Sequence, residues 1–159
     1  MRRGSRRPRV GVASALAWAA GGGYDAVVCA IGPGIVGTGS RLGHGGLAAA
    51  DAANAASALG GSPVLAARVS SADERERHRG VSHHTEAVLA LCTGRVVVAW
   101  PAGQEAPDWV EPRQEVDVEG WEEACAGLPL SHMGRGPDEE PWFFAAAFAA
   151  GRLGRSLVA

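Results

Sequence analysis

Three short apolar runs, YDAVVCAI at residues 24–31, PVLAARVS at 63–70 and RVVVAW at 95–100, alternate with two stretches of helical pattern at 45–59 and 85–92. The runs are nearly continuous in apolar residues and rich in valine. Such runs suit strands covered on both faces, as in parallel sheets. Within 45–59 the polar residues Asp51, Asn54 and Ser57 recur every third position, and Leu47, Ala48, Ala52, Ala55 and Leu59 line the other side. That is the period of an amphipathic helix, and Gly60-Gly61 can stop it. Strand, helix, strand, helix, strand at these lengths predicts an α/β fold, three-layer and Rossmann-like, with a mostly parallel sheet whose N-terminal side is incomplete.

Working outward, residues 11–20 suggest a short helix closed by Gly21-Gly22-Gly23. Five arginines crowd the first nine residues, so residues 1–10 read as a disordered start ahead of a single domain at 11–159. Past Pro101 the texture becomes proline-rich and acidic. Val116 and Val118 suggest a short strand and 119–126 a short helix. A last helix is better signalled: Asp138 can cap it, Glu139 and Glu140 suit its positive end, and Pro141 fits its first turn. Phe144 and Phe148, four apart, share one of its faces.

Composition narrows the function classes. All 15 basic residues are arginine, which excludes a P-loop lysine and a Schiff-base lysine. Residues 1–100 hold eleven arginines against six acids, and the remainder four against eleven. The basic excess is that of the first nine residues alone, so it is no nucleic-acid footprint, and no nucleic-acid partner is expected. Cys29, Cys92 and Cys125 are odd in number and form no CxxC, as free thiols in a reducing compartment do. No apolar run reaches the ~18 residues of a membrane span. A cytoplasmic protein without a membrane partner is expected, and self-association is compatible with it.

Two loops can carry chemistry. Gly32-Pro33-Gly34-Ile35-Val36-Gly37-Thr38-Gly39-Ser40 contains GxGxxG between a predicted strand and a helix. Its amides, with Thr38, Ser40 and Arg41, suit an anion or phosphate. The loop is longer than a dinucleotide turn, and neither Asp51 nor Asp73 falls where a ribose-binding acid belongs. The second loop runs from Asp73 to His84 and holds three of the five histidines, His78, His83 and His84. These suit proton transfer or, with Asp73, a divalent metal, although the spacing matches no established metal motif. Its bland reading is a solvated charge run with Ser82 capping the next helix. Both loops would leave the carboxyl edge of a parallel sheet, where ligands of open α/β sheets bind, so His44 and Arg68 can join them. A third segment, LPLSHMGRG at 128–136, offers His132 and Arg135 or serves as a plain connector.

The runs GPGIVGTGS, RVSSADERERHRGVSHHT and LPLSHMGRGPDEEPWFFAAAFAAGRL resemble the bacterial family called domain of unknown function 3866 (DUF3866), seen often in actinobacteria. The resemblance spans Tyr24 to the C-terminus and implies that this chain is the C-terminal portion of longer relatives. It implies no reaction.

Residues and resemblance together give three expectations. The leading one is a site for a small anionic or phosphorylated metabolite, serving hydrolysis or group transfer. There Gly32, Gly34, Gly37 and Gly39 present amides, while Thr38, Ser40, Arg41, Arg68, Arg79 and Arg135 contact the ligand. His78, His83 and His84 would transfer protons. A second is a metal-dependent hydrolase using His78, His83, His84 and Asp73. The third is an inactive or partner-dependent fragment.

Overall fold

The computed structural model describes residues 11–32 and 35–158. The predicted disordered start, together with Pro33 and Gly34, lies outside them. Helix α1 (Val12–Gly21) and helix α2 (Ala48–Ala58) pack together. Strand β1 (Val64–Ala66) follows, then the two-residue strands β2 (Val69–Ser70) and β3 (Gly80–Val81), helix α3 (His83–Leu91), strands β4 (Val97–Pro101) and β5 (Arg113–Val116), and helices α4 (Trp121–Ala124) and α5 (Pro141–Ser156). The main sheet has the order β1-β4-β5 and is parallel throughout, with Leu65 opposite Val98 and Ala99 opposite Gln114. Strands β2 and β3 make a separate antiparallel ribbon. The chain is therefore an α/β protein. Of the expected architecture, the described residues form one βαβ unit and a third parallel strand.

Two strand expectations change. Residues 24–31 form no strand; Val28 is 94% exposed and the whole run lies open. An apolar, valine-rich segment becomes a strand only where a neighbour completes its ladder, and among the described residues none does. The run at 63–70 is instead split in two. After Ala66 the chain leaves the sheet because Arg68 needs polar partners. The Arg68 amide donates to Thr85 Oγ1 at 3.0 Å, and its carbonyl accepts from Ser82 N at 2.8 Å.

The alternation of β4 organises the core. Val98 and Trp100 enter one apolar cluster with Ala67, Val69, Val110 and Ala146, while Ala99 meets Ala149 and Leu153 of α5. Both faces of the central strand are thus covered, as its continuous apolar run required. Alanines on α5 let that helix approach closely. Phe144 joins Trp121 and Ala145, with Phe148 packed against them, as the four-residue spacing implied. At the end of α2, Gly60 takes φ +80°, a left-handed turn that suits glycine. Asn54 ties α2 to the end of α3 by donating to Leu91 O and accepting from Thr93 N.

One cap differs from expectation. Glu140, not Asp138, occupies the N-cap position of α5, and its carboxylate makes no cap because it is turned into the protein. Pro141 stands in the first turn, as predicted. No helix among the described residues is long and apolar enough to cross a membrane.

Trp100 is 1% exposed and its indole N–H donates to Gln104 O at 2.7 Å. Trp100→Ala should therefore cost ~3–5 kcal/mol of unfolding free energy, measured by urea titration, with Trp100→Phe costing clearly less. A loss below ~1 kcal/mol would mean the core is not built on β4.

Candidate functional site

The departure of the chain at Arg68 creates a polar network just past the carboxyl end of β1. Asp73, 3% exposed, receives Arg68 Nη2 on Oδ2 at 2.8 Å. Arg75 adds three bonds to the same carboxylate, from its amide, Nε and Nη2. These bonds from Arg75 hold the Asp73 carboxyl well below the usual carboxylate range, against the opposing effect of burial. Arg68 also donates from Nη1 to His78 Nδ1 at 2.6 Å. A guanidinium has no lone pair to offer, so His78 Nδ1 must be the acceptor and its proton sits on Nε2. Ser82 Oγ lies 2.7 Å from the same nitrogen and accepts from His84 N at 3.2 Å. The bland reading of Ser82, a helix cap, is thus observed.

A second buried carboxylate closes the network. Glu140 is 0% exposed; Ser70 Oγ donates to its Oε1 at 2.5 Å and Arg135 Nε at 2.9 Å, while Ser71 N donates to Oε2 at 3.1 Å. Burial alone would raise its pKa, but the bonds from Ser70, Arg135 and Ser71 outweigh burial and leave it lowered. Ser70 Oγ in turn accepts from Asp73 N at 3.0 Å, which links the backbone at Asp73 to the Glu140 carboxylate through one hydroxyl. Arg75 Nη2 reaches Met133 Sδ at 3.6 Å and so touches the LPLSHMGRG segment.

Beside this network four imidazoles meet. His83 and His84 come from the first turn of α3, His78 from the short 3-10 turn at Glu76–His78, and His44 from the end of the glycine-rich loop. The His44 ring stacks on His84 with centroids 3.9 Å apart, and His78 lies 4.8–4.9 Å from His84 and His83. Burial pushes His78 and His84 down from 6.5 to about 4, with Arg68 disfavouring the charge on His78 and His44 that on His84. Burial lowers His44 and His83 as well. All four rings are uncharged at neutral pH. One nitrogen each from His44, His83 and His84 lies within 4.8 Å of the other two, so these three can hold a metal ion. His78 and Asp73 turn their ligating atoms to Arg68, Arg75 and Ser82 instead.

The glycine loop reaches the site differently from the cradle its motif implied. Gly37 bridges His44, Thr38 N donates to Gly43 O, and Gly45 N donates to Val36 O. This small closed turn delivers His44. Gly32, Gly37, Thr38, Gly39, Ser40 and Arg79 are exposed, and Arg41 pairs with Glu86 at 2.8 Å. Gly34 lies outside the described residues. His132 stacks on Phe143 at 3.8 Å, and burial lowers its pKa. Sequence reasoning missed Glu140 as a site group, taking it for a helix-terminus charge, and it missed Ser70. A surface depression of about 410 Å³ lined by Phe148, Gly151, Arg152, Arg155 and Ser156 bears none of these groups.

A family model described as a protein of unknown function (DUF3866) matches residues 6–151, so the likeness begins ahead of Tyr24. No curated protein and no solved structure matches the chain.

The lowered pKa values make a prediction about stability. Each folded-state value lies below its ordinary one, so the unfolded chain takes up protons first as pH falls. Stability should drop between about 6.5 and 4 through His78 and His84, and again below the ordinary carboxylate range through Asp73 and Glu140. Urea midpoints from pH 7.5 to 3.5, with a chelator present, measure this. A midpoint that stays flat between pH 6.5 and 4 would contradict the burial of uncharged imidazoles.

Proposed function

The chain belongs to the DUF3866 family, whose description names no reaction, and we propose that it acts on a small anionic or phosphorylated metabolite by hydrolysis or group transfer. The carrying observation is a surplus of positive charge beside uncharged imidazoles. Among the described residues Arg68, Arg75 and Arg135 form ion pairs with two buried carboxylates, Asp73 and Glu140. The cluster therefore keeps one uncompensated positive charge, and an anionic group of a substrate would balance it. Arg75 is 44% exposed along its side chain and presents that charge to solvent.

Placement supports the same reading. The Arg68 amide bonded to Thr85 sets the first turn of α3 at the carboxyl end of β1, and Glu140 brings the start of α5 to Ser70 and Ser71. Two helix N-termini and the guanidinium cluster thus share the sheet edge where α/β proteins bind ligands. In the proposed chemistry an uncharged imidazole accepts the proton of the attacking hydroxyl or water. The Nε2–H of His78 is poised to donate to charge developing on oxygen. Among the described residues Cys29, Cys92 and Cys125 are all free thiols, which agrees with work in the cytoplasm.

A thermal-shift comparison of orthophosphate, pyrophosphate and an uncharged sugar tests the reading. A ligand at a hundred times its Kd adds ~2.7 kcal/mol, a rise of roughly 5–10 °C in Tm for a chain of this size. The phosphates should give it, the sugar should not, and Arg75→Gln should remove at least half. Equal responses to phosphate and sugar, or a full shift retained by Arg75→Gln, would end the proposal.

The exposed apolar residues Val28 and Val36, 94% and 79% accessible, favour a second reading in which a further copy of the chain covers this segment. Light scattering after size exclusion should then show a dimer that Val28→Glu with Val36→Glu turns into a monomer. A wild-type monomer at high micromolar concentration excludes it.

A further inference from the structure

We infer that His44, His83 and His84 form a zinc-type site with one open coordination position. The inference goes beyond the proposed reaction and stands whatever the substrate is: ring nitrogens that hold a metal no longer accept a proton, so metal binding would replace the imidazole base of that reaction.

The first argument is hydrogen-bond accounting. His44 is 8% exposed, and among the described residues neither of its ring nitrogens has a hydrogen-bond partner; His83 Nε2 is buried and has none among them either. The Arg41 carbonyl lies close enough to favour a charged His44 slightly, yet makes no hydrogen bond. Folds rarely bury polar atoms without partners, and when several such atoms converge, something of opposite character belongs between them. The carboxylates are satisfied, since both oxygens of Asp73 and both of Glu140 accept hydrogen bonds, while the other buried side-chain atoms without a hydrogen bond among the described residues, His132 Nε2 and Arg135 Nη2, belong to the 128–136 segment.

The second argument is geometry. Ligand nitrogens ~2.1 Å from a tetrahedral zinc stand ~3.4 Å apart. Here the three nitrogens lie within 4.8 Å of one another, and the rings of His44 and His84, stacked 3.9 Å apart, must turn out of parallel to share one ion. His83 and His84 are fixed by α3, with Ser82 accepting from the His84 amide. His44 is fixed by the closed turn from Gly37 to Gly45. Two independently anchored elements therefore present the donors.

A third observation is that Gly46 makes room for the rings. A Cβ at position 46 would stand 2.8 Å from His44 Nδ1 and 3.7 Å from His84 Nδ1. Gly46 is itself buried, so an added methyl has nowhere to go except against His44.

The donor set fixes the class of ion. Three neutral imidazoles without carboxylate or thiolate suit zinc, cobalt(II), nickel(II) or copper(II), and not calcium or magnesium, which require oxygen ligands. Three protein ligands leave a fourth position for water or a substrate oxygen, as in catalytic rather than structural zinc sites. The ring of His78, bonded through Nδ1 to Arg68 and Ser82, packs against His83 and His84 and is not one of the three ligands.

The test uses the untagged full chain, stripped with a chelator and dialysed. Zinc is titrated in competition with a chromophoric chelator, and cobalt(II) is followed by its visible absorption. The expected result is one zinc per chain at micromolar Kd or tighter, an intense cobalt band of four-coordinate type, and a raised Tm with zinc. His44→Gln, His83→Gln and His84→Gln should each weaken zinc at least a hundredfold with circular dichroism unchanged. Gly46→Ala, which alters no ligand, should weaken it roughly tenfold, and His78→Gln less than that. A Cys29→Ser, Cys92→Ser, Cys125→Ser triple variant should bind as wild type. Less than a tenth of an equivalent of zinc on folded wild-type chain, with no cobalt band, overturns the inference. Undiminished binding by His44→Gln overturns it as well, as does binding lost only in the cysteine variant. Because the readout is the metal itself, its failure would leave the phosphate response, and the reaction built on that response, to stand or fall separately.

Discussion

The structure turns on how Arg68 is accommodated. A guanidinium at the end of an apolar run cannot enter the core unpaired, and its charge cannot be shed. The chain meets this by breaking the strand after Ala66 and gathering Asp73, His78, Ser82 and Thr85 around residue 68. Nearly everything at the carboxyl edge follows from that gathering. Thr85 sets the first turn of α3, which places His83 and His84. Asp73 draws in Arg75, and Ser70, bonded to the amide of Asp73, draws in Glu140 and with it the start of α5. Burial of an ion pair adds little net stability, since desolvation opposes it, but removing one partner of such a pair is costly. The network therefore fixes which arrangement forms more than how stable it is.

This explains why the apolar core and the polar cluster sit end to end. Ala99, Ala149 and Leu153 join β4 to α5, while Ala67, Val69, Val98 and Trp100 continue the packing toward the start of that helix. Glu140, one residue before α5, is where the apolar contacts give way to the Ser70 and Arg135 bonds. Helix α5 thus links the two, with its middle held by alanines against the sheet and its beginning held by a carboxylate against the loop after β2.

Much of this was legible in the sequence, and the limits have physical causes. The run 95–100 became β4 because its valines and Trp100 are covered on both faces, as a continuous apolar pattern requires. The helices at 48–58, 83–91 and 141–156 lie where period, glycine stops and Pro141 put them. The run at 24–31 misled because pattern reports what a segment would bury and not whether a neighbour offers a ladder. The split at Arg68 was hidden because a single arginine in an apolar run looks like a strand's solvent face. In the site, His83 and His84 were visible as a pair; Arg68 does stand at the end of β1, but the edge argument for His44 needed a strand at 24–31, and that run forms none, so His44 arrives by the closed turn from Gly37 to Gly45 instead. Glu140 was hidden because a glutamate before Pro141 has a sufficient local explanation at a helix start. Only a partner seventy positions away, Ser70, shows otherwise.

Satisfied and unsatisfied buried groups lie side by side at this edge. Asp73, Glu140, Ser70 and Ser82 are saturated, and saturated buried groups hold a fold in one arrangement without offering anything to a ligand. Both ring nitrogens of His44 and the Nε2 of His83 are buried and, among the described residues, unanswered, a cost that packing alone would have removed by an apolar residue of similar size. Arg75 differs from both: its bonds to Asp73 are complete, yet much of its length is open and the cluster's charge does not cancel. A purely structural network needs neither the orphaned nitrogens nor the uncancelled charge. The two occur side by side, at the end of a parallel strand where two helices begin, and they set the imidazoles apart from the carboxylates, whose bonds are complete.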